Sequence, residues 1–341
     1  MLTKDLGYRP PSRLELASVF FRLAKDRLIG HPPPPGPPAN ISAAMLSAHP
    51  FISFSGQVPA AMLGLASHFP PGRNEQRWFL ISPTWSMESE KVMKWVRRRG
   101  VAHRHRNPHD HLIYVCNTAE EVALLRARGE AAILINKAST VSEEAFRPLP
   151  DVPVTFDAVY NAQLVPWKRH ELSLGIERCA FVFYRSTRNG GEAEIEAALM
   201  ARHAGMPGHV FLNPIAADGA PVRLPPEAVN RHLNKAAVGL CLSATEGTMF
   251  ASTEYLLAGL PVVTTPSRGG RDLYHDPEFC VTVPADPRAI AAAVTVLKAR
   301  NIPRERIRAK TLERLERDRA RFVDLVNAVL EESGASQRFA M

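Results

Sequence analysis

The sequence predicts an α/β protein of two doubly wound domains facing each other across a cleft. Three observations carry this reading. From residue 51 onward, short apolar runs alternate with stretches whose apolar residues recur at helical spacing. A proline-punctuated stretch, "RPLPDVPVT" at 147–155, interrupts the alternation, which then restarts and runs to a long charged helical segment. Strands separated in this way by helices form parallel sheets with crossover helices. The 341 residues are enough for two separate cores.

Residues 12–29, "SRLELASVFFRLAKDRLI", place Arg13, Arg22, Lys25 and Arg27 among apolar residues at helical spacing, which predicts a basic amphipathic helix. Such a helix either packs on its own domain or lies against a partner or an anionic lipid leaflet. "HPPPPGPP" at 31–38 follows as a stiff extended linker, because proline fixes φ and lacks an amide donor. Residues 1–40 therefore stand apart from the first domain, 41–150. In that domain strands are predicted at 51–56, 77–82, 111–117 and 131–135, and helices at 59–69, 88–99 and 119–128, the last two stopped by Gly100 and Gly129. The second domain, 151–317, has predicted strands at 156–162, 179–184, 209–213, 238–243, 261–265 and 279–283. Its helices are predicted at 192–204, 226–236, 249–258 and 287–299. The final helical segment is 303–332, and the part from about 318 to 335 is expected to pack back on the first domain.

Composition narrows the function classes. Hydrophobic residues make up 45% of the chain, ordinary for a globular protein. Apolar runs such as "AAMLGLA" and "AAILI" fall far short of the roughly 20 residues that span a bilayer, and "LASVFF" is broken too soon by Arg22 and Lys25 to be a signal-peptide core. Cys116, Cys179, Cys241 and Cys280 lie far apart in apolar runs without zinc-ligand spacing. They read as reduced thiols, and the expected setting is cytoplasmic, with peripheral contact at the inner membrane face as an option. The formal net charge is +8, of which +7 falls in residues 1–150. An anionic substrate, an acidic membrane surface or simple solubility accounts for the excess. Nucleic acid is disfavoured, since no aromatic-studded basic groove or recognition helix is present.

No Walker A sequence and no G-x-G-x-x-G occurs. Phosphate can also be met by a cation and helix N-terminal amides, and two stretches of the second domain offer them. In "NAQLVPWKRHE" (161–171), Lys168 follows a strand end, where its charge can neutralise a diphosphate. In "SATEGTMFASTE" (243–254), a helix expected from about Thr248 leaves the amides of Gly247, Thr248 and Met249 as unpaired donors. Gly247 permits close approach of a ligand to the backbone. Glu246 can accept hydrogen bonds from sugar hydroxyls, and the two oxygens of Glu254 match a ribose diol. The competing reading makes Glu246 a helix cap and Glu254 a surface charge.

The stretch 233–294 closely resembles the donor-binding half of the group 1 glycosyltransferases, which have the GT-B fold of two Rossmann-like domains. The shared pattern is a serine, a Glu-Gly loop, a second glutamate eight residues on, "LLAGLPVV", a Gly-Gly turn and "ADPRAIAAAV". Upstream, "ILINKASTVSEEAFRPLP" (133–150) is similar to the family's interdomain stretch, and "NAQLVPWKRH" to its phosphate motif. The resemblance covers about 115–300 well; the first hundred residues match only in alternation. It implies a metal-independent, retaining transferase that uses a UDP- or GDP-sugar. In that reading Lys168 and Glu246 are catalytic, Glu254 holds the donor ribose, and Gly247, Thr248 and Met249 hold the donor. The acceptor is a glycan, glycolipid or small molecule.

One departure stands out. Gln163 occupies the place of the family's arginine, and Arg169 that of its following glycine. A neutral amide loses both the charge and the bidentate fork of a guanidinium, so Arg169, Arg185 and Arg188 are candidates for compensation. The departure also motivates an alternative, a catalytically weakened GT-B protein serving as a binding or scaffold subunit; a nucleotide-sugar epimerase is a further one. In the first domain, Gly56 and Gln57 follow the first strand and are candidates for approach to the donor phosphates. "HRHRNPHDH" (103–111) reads as strand-like, with His103 and His105 on one face as candidates for acceptor binding or base catalysis rather than for a metal.

Overall fold

The computed structural model describes residues 1–28, 42–57, 63–69, 75–184, 192–217 and 219–341. The chain divides into two compact units, Met1–Lys137 with Arg317–Met341, and Ala138–Glu316. The stretch at 147–155 lies inside the second unit, where Asn230 Oδ1 accepts from the Arg147 amide at 3.2 Å and Asn234 Oδ1 from the Leu149 amide at 2.8 Å. The proline-rich stretch at 31–38 falls outside the described residues.

The first unit is built on a five-stranded sheet: β1 (Ala43–Ser47), β2 (Phe51–Gln57), β3 (Arg77–Pro83), β4 (Asp110–Cys116) and β5 (Ala131–Leu134). Its strands lie in chain order, β2 to β5 parallel and β1 antiparallel on the edge. Alternate residues point to opposite faces. Phe79, Ile81, Leu112, Tyr114 and Cys116 meet the crossover segments through Leu63, Met93, Val96 and Leu125. Trp78, Leu80, Ile113 and Val115 face the other way, onto Phe322, Leu325, Val326, Val329 and Leu330 of the C-terminal helix. Those five recur at intervals of three and four, the stripe that buries one side of a helix. The fold class is the expected α/β one, but this sheet is wound differently from the other. Right-handed crossovers that always step in one direction put their helices on one face, so the opposite face is covered by the returning C-terminal helix and by Leu2, Leu6 and Tyr8.

Helices α1 (Leu2–Asp5), α2 (Arg13–Leu28), α3 (Glu90–Arg106) and α4 (Ala119–Ala127) belong to this unit. Gly100 does not stop α3; the helix continues through 100–106, so the predicted strand-like run at His103 and His105 is helical. The glycine is there for packing. A Cβ at position 100 would lie 3.0 Å from Glu130 Oε1, and the buried Glu130 carboxylate is clamped by Arg97 at 3.2 Å and Arg104 at 2.7 Å. Two cations seven residues apart share one helix face, and together they neutralise a carboxylate that would otherwise be costly to bury. Of the helix predicted at 59–69, residues 58–62 lie outside the described set, and Gly64–His68 forms a short 3-10 turn.

The second unit holds β6 (Phe156–Asn161), β7 (Cys179–Val182), β8 (His209–Phe211), β9 (Ala236–Cys241), β10 (Val262–Thr264) and β11 (Cys280–Thr282). All pair in parallel, in the order β11-β10-β9-β6-β7-β8. The helices are α5 (Glu192–His203), α6 (Pro226–Asn234), α7 (Phe250–Leu257), α8 (Pro287–Ala299) and the start of α9 (Arg304–Glu332). Helix α8 begins as its sequence suggests, with Asp286 capping the amides of Arg288 at 3.2 Å and Ala289 at 3.4 Å ahead of Pro287 at the first position. The chain steps from β6 outward to β8, then returns to lay β9 against the free side of β6. That reversal is a topological switch point, and the crevice outside the carboxyl ends of β6 and β9 is where open α/β sheets take their ligands.

Gly239 in β9 lets α7 come close. A Cβ there would lie 2.5 Å from Cγ of the buried Tyr255, whose hydroxyl accepts the Asn161 amide at the end of β6. Gly239→Ala is expected to cost about 1–3 kcal/mol of stability by overpacking, measured as a lower urea midpoint at unchanged slope.

Candidate active site

Two loops converge on the switch point of the second sheet. The first follows β6. Tyr160 is buried in that strand, and its hydroxyl donates to the Lys168 carbonyl at 2.6 Å, drawing the 163–169 loop back over the strand end. The second follows β9, from Leu242 to Met249. It is held by the 267–270 loop: the Glu246 amide donates to the Arg268 carbonyl at 2.9 Å, and the Gly270 amide to the Gly247 carbonyl at 2.7 Å.

The Lys168 ammonium forms an ion pair with Glu246, which also accepts from the Ser243 hydroxyl. Glu246 is 5% exposed, so its charge is held by these two donors. Glu254 lies one turn into α7 and accepts from Asn161 Nδ2 at 2.7 Å. Burial raises its pKa to about 7, an effect that the Asn161 hydrogen bond only partly opposes. The site therefore has one carboxylate paired with a lysine and one that titrates near neutrality.

Helix α7 begins at Phe250, two residues later than expected, because buried Met249 holds an extended backbone before it. Gly247, Thr248 and Met249 thus belong to the loop rather than to the first helical turn. Lys168, Glu246, Gly247, Thr248, Met249, Glu254, Gln163 and Arg169 all lie at the carboxyl edge of the β6–β9 pair. Gln163 is half-buried, and among the described residues its side chain has no hydrogen-bond partner.

Arg169 is turned away from a compensating role. Its backbone is left-handed, φ 54°. Its guanidinium holds the Leu242 carbonyl at the end of β9, Nε at 2.6 Å, and Nη2 donates to Thr265 Oγ1 at 2.8 Å. Arg185 and Arg188 lie outside the described residues. Gly56 and Gln57 end β2 in the first unit, as do His103 and His105 the last turn of α3. His103 Nε2 meets the buried Asp110 at 2.8 Å, and Arg77 grips the same carboxylate at 2.6 Å. Burial pushes Asp110 up, but these hydrogen bonds outweigh it and hold the carboxyl below its ordinary range. His103 is thus bound into the core, whereas His105 is exposed with its ring 4.9 Å from that of Phe20.

Three participants are invisible to motif reading. Asn161 orients Glu254. Arg271, 2% exposed, bonds the Ser243 carbonyl at 2.6 Å and the Thr265 carbonyl at 2.5 Å, bracing the ends of β9 and β10. Arg268 is exposed on the loop that pairs with Thr245 and Glu246, and forms no ion pair among the described residues. The "SRGGRD" run carried the last two, but it displays them only as glycine-rich loop chemistry.

Residues 190–299 match the family model described as glycosyl transferases group 1. That stretch is about a third of the chain and lies within the second unit. The fold agrees. Sucrose-phosphate synthase from Thermosynechococcus elongatus superposes with a TM-score of 0.55 at 16% identity, over 76% of this chain and 69% of that one. HepE from Anabaena, solved in complex with UDP, gives 0.52 at 17% identity, over 76% and 73%. A glycosyltransferase from Rickettsia africae gives 0.52 at 14% identity, over 74% and 71%. At such identities the likeness is one of fold, the GT-B fold. No curated protein matches the chain in sequence. Among the described residues, no group of three or more histidine, cysteine or acidic side chains capable of holding a metal occurs.

Proposed function

We propose that the protein transfers a sugar from a nucleotide-sugar donor to an acceptor with retention of configuration. The observation that carries this is the grouping of Lys168, Glu246 and Glu254 around one switch-point crevice. A leaving nucleoside diphosphate develops negative charge as the glycosidic bond breaks, and a fixed ammonium stabilises that charge most where water is scarce. Lys168 takes this role. Donor binding draws its ammonium toward the diphosphate, while Ser243 continues to hold Glu246 for the hydroxyls of the sugar. Glu254 receives the ribose diol, with Asn161 fixing one of its oxygens. Arg268 is a second cation for the diphosphate in place of the arginine that Gln163 replaces. Attack from the face of the departing phosphate gives retention.

A binding or scaffold subunit is the second reading, and Gln163 favours it together with the engagement of Arg169 by Leu242. Calorimetric titration with UDP and GDP, followed by a donor-hydrolysis assay across UDP- and GDP-sugars, separates the two. Transfer predicts that one nucleotide binds and that its sugar is hydrolysed or transferred. Binding without turnover across a broad donor and acceptor panel would establish the scaffold. Failure of both nucleotides to bind overturns both readings.

A further inference from the structure

We propose that α2 docks the protein on an anionic lipid bilayer. This helix is apolar on two opposite sides. One side is used internally: Val19 and Leu16 pack on Val101 and Ala102 of α3, and Arg97 grips Glu15 at 2.7 Å. These contacts fix the rotation of the helix, and so they fix what faces away. At 3.6 residues per turn, Leu14 and Phe21 lie within about 20° of each other and roughly 150° from Val19. They are 84% and 71% exposed. Ala17 and Ala24 fill the same strip, and exposed Arg13, Arg22 and Lys25 border it.

Single exposed apolar residues are ordinary on protein surfaces. Here a leucine and a phenylalanine two turns apart share a strip with cations beside them, on a helix whose other side already serves the core. Helices that lie in the membrane interface have this composition, with apolar side chains entering the headgroup boundary and lysine or arginine meeting lipid phosphates. Charge selects the occupant. Glu15 is turned inward onto Arg97, so the described outward charges are cationic. A second copy placed on this face by a twofold axis would set Arg13, Arg22 and Lys25 against themselves. An anionic bilayer complements them, and complements the +7 excess of residues 1–150. Among the described residues no helix is long and apolar enough to cross a membrane, so the contact is peripheral.

Co-sedimentation of the full chain with vesicles of phosphatidylcholine alone, or mixed with phosphatidylglycerol, tests this. The expected result is binding to the mixed vesicles that weakens as salt rises. Arg13→Gln/Arg22→Gln/Lys25→Gln should lower partitioning about a hundredfold, roughly fivefold per cation. Leu14→Ser/Phe21→Ser should lower it by about tenfold or more. Both variants should keep the parent's thermal unfolding and nucleotide titration, since these side chains lie outside the core and the crevice. Absence of binding, equal binding to both vesicles, or indifference to both variants would overturn the proposal. A concentration-dependent dimer dissolved by Leu14→Ser/Phe21→Ser, without vesicle binding, would assign the face to a second copy instead.

Discussion

Lys168→Met is expected to lower turnover by about 10²–10³, the usual effect of removing one preorganised group that stabilises developing negative charge. The same substitution should weaken UDP or GDP binding, because the diphosphate is part of both. Glu246→Gln discriminates a catalytic lysine from a merely structural one. Lys168 and Glu246 form one ion pair, so loss of that pair alone would make the two variants behave alike. In the proposed mechanism they differ: Glu246 meets the sugar, which UDP and GDP lack. Glu246→Gln should therefore abolish donor hydrolysis while leaving nucleotide affinity within about twofold. Equal loss of nucleotide affinity in both variants, accompanied by a lowered unfolding midpoint, would reduce Lys168 to a structural partner of Glu246.

Glu254→Gln is expected to stabilise the protein at pH 8 by up to about 3 kcal/mol, with the gain vanishing near pH 4.5. Burial raises the folded-state pKa of Glu254 to about 7 from its ordinary 4.5. Between those values the folded state binds more protons than the unfolded state, so the contribution of Glu254 falls as pH rises through the window. A shift of that size corresponds to roughly 3 kcal/mol at 1.36 kcal/mol per unit. It is an upper figure, because the side chain is only partly shielded from solvent. Glutamine keeps the shape and removes the charge. Urea midpoints of parent and variant at pH 5, 6, 7 and 8 measure the effect, and curves that stay parallel across the series would show that Glu254 titrates normally. The variant should bind the nucleotide less tightly despite its greater stability, since an amide offers a diol one acceptor oxygen where a carboxylate offers two. Such an exchange of stability for binding is expected where a charge is held half-buried for a ligand.

The second unit was far more legible than the first. Its strands are short, buried runs bounded by turn residues, and each is answered locally by a helix with its own start and stop signals, as at Asp286 and Gly259. Lys168 and Glu246 could be placed because each sits in a loop that follows a strand, and Glu254 because it lies one turn into the helix after the second loop. In the first unit, β1 gives no strand signal, because an exposed edge strand carries no buried alternation. Gly100 misled because glycine is both a helix stop and a space-saver, and the Glu130 carboxylate that needs the space is 30 residues away. By local spacing Arg169 is a candidate to compensate for Gln163. Its left-handed backbone and the Leu242 carbonyl that holds it depend on where β9 lies, and local spacing is silent on that.

Periodicity, turn chemistry and the order of strands along the chain were enough to determine the α/β class, most helix and strand positions, and the two loops that carry the candidate site. These are local properties, written within about ten residues of each element. The order of strands across each sheet is a different matter. Only the tertiary structure decided that β9 lies beside β6, so that Asn161 meets Glu254 and Lys168 meets Glu246. It also decided that Phe322 to Leu330 cover the open face of the first sheet, and that α2 spends one apolar side on α3 and leaves the other in solvent. The reason is physical. An apolar residue at helical spacing records that a side must be covered, but what covers it is set by hydrophobic burial, which has no direction along the chain.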